Sequence, residues 1–140
     1  ADEHVTTAMH NYGLYLGLAF QIMDDALDYS ADSAQMGKNA GDDFLDQKIT
    51  LPVILAYQKA NDEERGFWHR TMGDGNFAAD DFAKAQGILT HHNAIEASLD
   101  TATSYAHKAK AALSIFDTPE QTELAHALRE AAAFAAFRRT

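Results

Sequence analysis

Three aspartates at the end of a long apolar segment are the residues of this sequence best placed to do chemistry. Asp24, Asp25 and Asp28 follow the apolar run from Tyr12 to Met23. On a helix that advances about 100° per residue, Gln21 shares an arc of about 80–100° with them, because the spacings are three and four. The Cβ atoms of Asp24 and Asp28 would be about 5–6 Å apart, so their oxygens can converge on one cation or on two neighbouring cations.

The rest of this helix is apolar over a wider arc than the stripe of a surface helix, which predicts burial nearly all round. Uncompensated interior charges cost several kcal/mol each, so we expect a cation to meet the carboxylates. Magnesium (Mg2+) suits them, because it takes one or two carboxylates, keeps several waters and completes its shell with phosphate oxygens. The pattern therefore favours a magnesium and diphosphate site, although the same triplet also fits a solvated helix end.

The polar segment after this helix contributes positive charge. Ser30 to Lys48 has glycines at 37 and 41 and no sustained helical or alternating pattern, so we expect one major loop. Lys38 and Lys48 lie in this loop, where mobile ammonium groups can reach a phosphate that carboxylates alone would repel. Taken singly, each lysine also fits an ordinary solvated side chain.

Other kinds of site fail on spacing. The segment from Asp28 has Ser33 where an EF-hand loop needs glycine, and Gly37-Lys38-Asn39 lacks the remaining residues of a P-loop. No zinc-binding H-E-x-x-H occurs. Neighbouring residues on a helix point about 100° apart, so we expect His91 and His92 to be surface residues.

Composition limits the partners and the compartment. A formal net charge of −10 argues against nucleic acid, whose binding depends on lysine and arginine. The sequence has no cysteine, which favours a reducing compartment, and the first residues lack the features of a signal peptide. The apolar run before Asp24 is too short and too polar-ended to span a bilayer. We therefore expect a cytoplasmic protein without a transmembrane segment.

Helix is the expected state almost throughout, because alanine is abundant and only two prolines interrupt the chain. The pattern predicts an all-α fold, an antiparallel bundle of six or seven helices that forms a single domain over residues 1–140. The expected helices run from Glu3 to about Tyr29, from Leu51 (capped by the Thr50 hydroxyl) to near Asn61, from about Glu63 to Met72, from near Asp80 to His92, from Ala94 to Phe116, and from Pro119 (capped by Thr118) to about Phe137.

Four segments of this sequence, in this order and spacing, are typical of one family. They are the run GLAFQIMDDALD over residues 17–28, Gly37-Lys38, Gly41-Asp42-Asp43, and KITLP over residues 48–52. They resemble the second aspartate-rich motif and the following signatures of the trans-polyprenyl diphosphate synthase family, in its longer-chain, quinone-tail type such as octaprenyl or decaprenyl diphosphate synthase. The resemblance implies the C-terminal portion of the isoprenoid synthase fold.

The resemblance also implies roles for particular residues. Asp24, Asp25 and Asp28 would ligate magnesium, and Gln21 would orient the polar stripe beside them. Lys38 and Lys48 would contact an allylic diphosphate. The implied reaction is a magnesium-assisted ionisation of that diphosphate followed by condensation with isopentenyl diphosphate, which makes the protein a prenyltransferase of isoprenoid biosynthesis.

The family's first aspartate-rich motif is missing from this sequence. The Asp-Asp-x-x-Asp pattern recurs at Asp42, Asp43 and Asp46, but these residues lie inside the loop signature that follows the second motif. The chain by itself would thus supply half a site and be inactive, and we expect a homo-oligomer or a complementing N-terminal half. Two alternatives stay open: a non-catalytic diphosphate-binding or partner subunit of a heteromeric prenyl synthase, and an acidic helical interaction protein.

Overall fold

The computed structural model describes residues 3–30, 41–116 and 119–137, and within these ranges the regular structure is helical, as the all-α prediction requires. Its seven α-helices are α1 (Glu3–Leu27), α2 (Asp42–Leu45), α3 (Leu51–Gln58), α4 (Asp62–Trp68), α5 (Asp81–His91), α6 (Ala94–Ala111) and α7 (Pro119–Phe137). A π-helical segment, His69–Gly73, continues α4. None of the helices in these ranges is long and apolar enough to cross a membrane.

Helix α1 forms as one uninterrupted element but is not buried all round. Tyr12, Ala19 and Met23 are buried, whereas Leu14 is 51% exposed and Gly17 is also exposed. The exposed positions continue the stripe on which the aspartates lie. The apolar residues of this part of α1 that lie off the stripe are buried or half-buried, so the expected burial is confirmed for them and the exposure follows the stripe.

The described residues divide into two compact units, each with its own core. The first comprises Ala1–Met23 and Leu99–Thr140. The first turn of α1 lines a groove with residues 111–115, while Ala19 packs with Ala106, so α1 and α6 run in opposite directions. The buried members of its main cluster are Ala8, Tyr12, Ala109, Leu113, Phe116, Ala125 and Ala132.

The second unit, Asp24–Ser98, is built around aromatic side chains. Phe44 is fully buried, and its ring centroid is 5.1 Å from that of Phe77 and 6.4 Å from that of Tyr29. Phe44 lies on α2, in the segment for which the sequence predicts a loop. That expectation is wrong at residues 42–45, because burial of this one large side chain stabilises a helical turn that polar neighbours conceal. The prediction of a single domain stays a prediction.

Helix α3 begins where the sequence predicts, with Thr50 at the N-cap position and Pro52 in the first turn. The Thr50 hydroxyl, however, makes no capping hydrogen bond. It is buried and has no hydrogen-bond partner among the described residues. The predicted capping role of this hydroxyl is therefore wrong, whereas the helix start is confirmed.

Helix α4 begins with a reciprocal capping box in which Asn61 and Glu64 bond each other's backbone amides, at 2.8 and 3.0 Å. The same Glu64 carboxylate accepts from His92 Nε2 at 3.1 Å, and His92 is half-buried. The surface prediction holds for His91 and is wrong for His92. Asn93 then separates α5 from α6 in a left-handed conformation with φ 56°, as expected of a helix break.

Candidate functional site

The three aspartates lie in the last turns of α1, where the sequence places them. Asp24 and Asp25 are half-buried, and Asp28 is only 2% exposed. Gln21 is exposed three residues earlier on the same helix. Lys38 lies outside the described residues.

Asp28 ties the end of α1 to the start of α2. Its Oδ2 atom accepts a hydrogen bond from the Asp43 backbone amide at 3.0 Å, and its backbone oxygen accepts from the Gly41 amide at 3.2 Å. A carboxylate that accepts backbone amide bonds is held more firmly than one in solvent. Asp28 is thus both a predicted metal ligand and the residue that fixes the chain beyond the glycine-containing segment.

Lys48 brings the expected positive charge to the carboxylates. Its ammonium nitrogen lies 3.5 Å from Asp25 Oδ1, while 52% of the Lys48 side chain stays exposed. Burial raises the pKa of the Asp25 carboxyl, against the lowering effect of the Lys48 ammonium. The Asp25 and Asp43 carboxylates raise the pKa of Lys48 above its ordinary value. At neutral pH the lysine is therefore charged, partly exposed and close to the predicted metal ligands.

Backbone hydrogen bonds at the C-terminus of α2 fix the position of the Lys48 backbone. The Gln47 amide bonds to the Phe44 oxygen at 3.1 Å and the Lys48 amide to the Asp43 oxygen at 2.9 Å, the pair of bonds that defines a Schellman motif. Gln47 occupies its left-handed position with φ 57°, which usually favours glycine. Its side-chain amide donates to the Met72 oxygen at 3.3 Å, so the loop is also tied to the π-helical segment.

Gly41 opens α2 at a point where a side chain has no room. Its φ of 87° is left-handed, and an added Cβ would lie 2.8 Å from the Phe82 ring. Phe82 in turn stacks on Tyr29, whose backbone oxygen accepts from the Gln86 side-chain Nε2 at 2.9 Å. Burial, together with the Asp28, Asp43 and Asp25 carboxylates, raises the pKa of the Tyr29 phenol. This packed layer holds the Asp28 end of α1 against α5.

Asp43 is the site residue whose individual role sequence reasoning missed. Its amide binds Asp28, its backbone oxygen receives the Lys48 amide, and its charge acts on both Asp25 and Lys48. The signal was present in the spacing, because Asp43 is two residues after Gly41 and five before Lys48. In the sequence Asp43 is recognisable only as part of the Gly41-Asp42-Asp43 motif, because the residue pattern does not predict the short helix α2.

The described residues contain no group of three histidine, aspartate or glutamate side chains placed around one ion position. The contacts explain this, since Asp28 accepts from the Asp43 amide and Asp25 faces Lys48. The donor set nonetheless fits magnesium, which takes oxygen ligands and in phosphate-binding sites uses one or two carboxylates together with water and phosphate. A closed cage of three side chains is not needed for such an ion.

A helix that ends in three aspartates, followed by a short α2 and a lysine, is found here in an all-helical fold shared with solved polyprenyl synthases. The chain belongs to the polyprenyl synthetase family, whose model matches residues 1–89. It is 38% identical over 115 residues to octaprenyl diphosphate synthase of Escherichia coli and 34% identical over 113 residues to that of Haemophilus influenzae. These matches cover 79% and 81% of this chain.

Solved structures extend the similarity past the motifs, which end at Pro52. A polyprenyl synthase from Caulobacter crescentus, complexed with calcium and isoprenyl diphosphate, matches 100% of this chain with 44% identity and a TM-score of 0.87. A decaprenyl diphosphate synthase from Rhodobacter capsulatus matches 99% with 37% identity and the same TM-score. The chain spans 34% of the two curated relatives and 42% of each of these structures.

Proposed function

We propose that this chain is the part of a prenyl-elongating transferase that carries the second aspartate-rich motif. The reaction is the condensation of isopentenyl diphosphate with an allylic diphosphate to give a polyprenyl diphosphate. The observation that supports it most is the approach of the Lys48 ammonium to within 3.5 Å of Asp25, beside Asp28, in a member of this family. Cationic and anionic groups together suit a ligand that is itself a metal–phosphate complex.

In this proposal Asp24, Asp25 and Asp28 hold the metal, and Lys48 contacts the oxygens of the allylic diphosphate, with Lys38 and Gln21 assisting. Magnesium, when bound, supplies Lewis-acid polarisation of the diphosphate. The C–O bond breaks, the diphosphate leaves with the bonding electrons, and the double bond of isopentenyl diphosphate attacks the allylic cation. A proton then leaves the new chain.

The protein's own contribution is electrostatic. The Lys48 ammonium is charged at neutral pH and lies 3.5 Å from Asp25, on a residue whose backbone is held by the Schellman motif, so it is already placed to stabilise a departing diphosphate. Asp28 is fixed by the Asp43 amide, which keeps the end of α1 in place as charge develops. Preorganised charges of this kind usually make the largest single contribution to catalysis.

The names of the relatives support the substrate class. One structural relative carries calcium and isoprenyl diphosphate, which favours a divalent cation and an isoprenoid diphosphate here as well. Other relatives are octaprenyl and decaprenyl diphosphate synthases, which favours a long product of the kind used as a ubiquinone side chain. We place the reaction in the cytoplasm.

Activity would require a second aspartate-rich helix beside this one, because the motif described here supplies one side of the site. The test combines the purified chain with the part of the Caulobacter crescentus polyprenyl synthase that this chain does not match, in the presence of magnesium, isopentenyl diphosphate and an allylic diphosphate. Product from the mixture, and from neither polypeptide alone, is expected. Magnesium-dependent diphosphate binding without any product would support the non-catalytic partner subunit instead, and absence of both would overturn the proposal.

A further inference from the structure

Gln47 adopts a backbone conformation that is unfavourable for a residue with a side chain. Its φ of 57° is left-handed, and it occupies the C′ position of the Schellman motif that ends α2. Glycine is usual at this position, because a Cβ atom is strained there. A left-handed glutamine persists only where other contacts stabilise it.

The contacts that stabilise Gln47 come from the turn at the end of the π-helical segment. The Gln47 Nε2 atom donates to the Met72 oxygen at 3.3 Å and to the Gly73 oxygen at 3.4 Å. The same carboxamide lies against Gly75, where an added Cβ would come within 3.0 Å of the Gln47 Oε1 atom. We call Met72, Gly73 and Gly75 the glutamine-binding turn. Its two carbonyls and its bare glycine leave space for one side-chain amide.

The glutamine-binding turn is held in place by contacts that do not involve Gln47. The Asn76 amide donates to the Arg70 oxygen at 3.0 Å, and the Arg70 guanidinium donates back to the Asn76 oxygen at 2.8 Å. The same guanidinium binds the buried Asp81 carboxylate. Because the turn is anchored in this way, its carbonyls can restrain an exposed side chain that would otherwise exchange between rotamers.

Gln47 directly precedes Lys48, so its conformation sets the direction in which the lysine side chain leaves the backbone. The Schellman motif, in which the Lys48 amide donates to the Asp43 oxygen at 2.9 Å, requires a left-handed residue at Gln47. From there the Lys48 ammonium reaches Asp25 at 3.5 Å. We propose that Gln47 is a positioning residue, whose side-chain amide, bound by the glutamine-binding turn, keeps Lys48 directed at the carboxylates. The consequence for diphosphate binding rests on the proposed function, whereas the positioning itself does not.

Amide hydrogen exchange tests the positioning without any ligand. Gln47→Met keeps the length of the side chain and removes the donor, so the Lys48 amide should exchange about fivefold faster. The Ile54 amide, which bonds to the Thr50 oxygen at the start of α3, should exchange as before. Gln58→Met, at an exposed glutamine on α3, is the matched control and should change neither amide. Unchanged exchange at Lys48, or equal acceleration at Ile54, would overturn the proposal.

Gln47→Asn separates the side-chain contact from the preference of the backbone. Asparagine enters the left-handed region more readily than most residues, but its amide is one methylene shorter and does not reach the Met72 and Gly73 oxygens. The Lys48 amide should therefore still exchange faster than in the unsubstituted chain. Exchange as slow as in the unsubstituted chain would show that the backbone preference suffices, and the glutamine-binding turn would have no part in the positioning.

Calorimetric titration with magnesium and inorganic pyrophosphate tests the consequence for binding. Gln47→Met should weaken pyrophosphate binding by about threefold to fivefold, and should have no further effect in a Lys48→Ala background, because it acts through that ammonium. An equal loss in both backgrounds would show that Gln47 acts elsewhere and would overturn the proposal.

The two measurements also separate the positioning from the proposed function. Pyrophosphate binding that survives Lys48→Ala undiminished would refute the role of Lys48 in the proposed function. Faster exchange of the Lys48 amide in Gln47→Met would then still support the positioning, and unchanged exchange would refute it as well.

Discussion

At the scale of single residues, the site depends on a few carboxylates whose environments differ. Asp28 is nearly inaccessible and accepts a backbone amide, whereas Asp25 is half-buried and faces a lysine. Asp24 shares the stripe with Asp28 one turn away. Substitution of each is therefore expected to have a different balance of effects on the fold and on the chemistry.

Asp24→Ala should abolish magnesium-dependent turnover in the assembled enzyme. We expect a loss of at least ~2.7–4 kcal/mol of transition-state stabilisation, comparable to deletion of an oxyanion-hole donor. The measurement is steady-state turnover at saturating magnesium. Asp46→Ala is the matched control, because Asp46 is exposed at the end of α2. Turnover near that of the unsubstituted enzyme in Asp24→Ala would refute its assignment as a ligand.

Lys48→Ala should weaken binding of the allylic diphosphate more than it lowers the melting temperature. The lysine is half exposed, so its ion pair with Asp25 contributes little to folding, whereas a charge-assisted bond to phosphate is strong. Substrate affinity and thermal melting are compared for Lys48→Ala and for Lys59→Ala, an exposed lysine after α3. A large drop in melting temperature with unchanged affinity would indicate a structural role.

At the scale of the elements, α2 positions both Asp43 and Lys48, although it is only one turn long. Such a helix cannot be stable by itself. It is held by the burial of Phe44, the left-handed Gly41 and the Schellman motif at its end. Substitutions at Phe44 or Gly41 should therefore disturb the site without altering a predicted metal ligand.

Gly41→Ala should destabilise the chain by about 2–4 kcal/mol, because a left-handed alanine is strained and its Cβ would collide with the Phe82 ring. Urea unfolding measures the loss. Phe82→Leu should relieve the collision but not the backbone strain, so the double variant should be more stable than the sum of the two single changes predicts. Simple additivity would show that the clash has no part in the effect.

The π-helical segment is fastened to α5 by a buried carboxylate. Arg70 donates to both Asp81 oxygens, at 2.8 and 3.0 Å, and the Ala78 amide donates to the same side chain. These bonds lower the pKa of Asp81 from its ordinary value near 3.8 to about 2, with the Arg70 bond as the largest cause. A lowered pKa means that the stabilisation is present above about pH 4 and is lost as the pH falls towards 2.

Asp81→Asn should accordingly be less stable than the unsubstituted chain at pH 7. The difference in the free energy of unfolding should shrink as the pH falls from about 4 to about 2. Urea titrations over that range provide the measurement, with Asp80→Asn as the control, because Asp80 is exposed. A difference that does not change with pH would contradict a role for the charge.

At the scale of the whole molecule, the chain is acidic and matches only part of its relatives. We expect the isolated chain to bind magnesium and diphosphate weakly and to elongate no prenyl chain, because magnesium dehydrates reluctantly and one aspartate-rich helix leaves its shell incomplete. Calorimetric titration with magnesium and inorganic pyrophosphate, alone and in the assembly, should show tighter binding in the assembly. Robust product from the chain alone would contradict this expectation.

Much of this protein could be predicted from the sequence because the relevant signals are local. The prolines Pro52 and Pro119 predict where α3 and α7 begin, and dense apolar periodicity predicts α1 and α6. The aspartate triplet and the lysine after it are recognisable at fixed spacing, and that spacing was sufficient to indicate the family. Local propensity and periodicity depend on residues a few positions apart in the chain, so they can be recognised from the sequence alone.

Other features were decided only by the tertiary structure. α2 exists because Phe44 is buried among rings contributed by Tyr29, Phe67, Phe77 and Phe82, which are distant in sequence. The pairing of Lys48 with Asp25 spans 23 residues, and the bond from His92 to Glu64 spans 28. The Thr50 hydroxyl is buried and does not make the capping hydrogen bond that the sequence predicts. Contacts of this kind depend on packing between remote segments, which residue types and spacing alone do not determine.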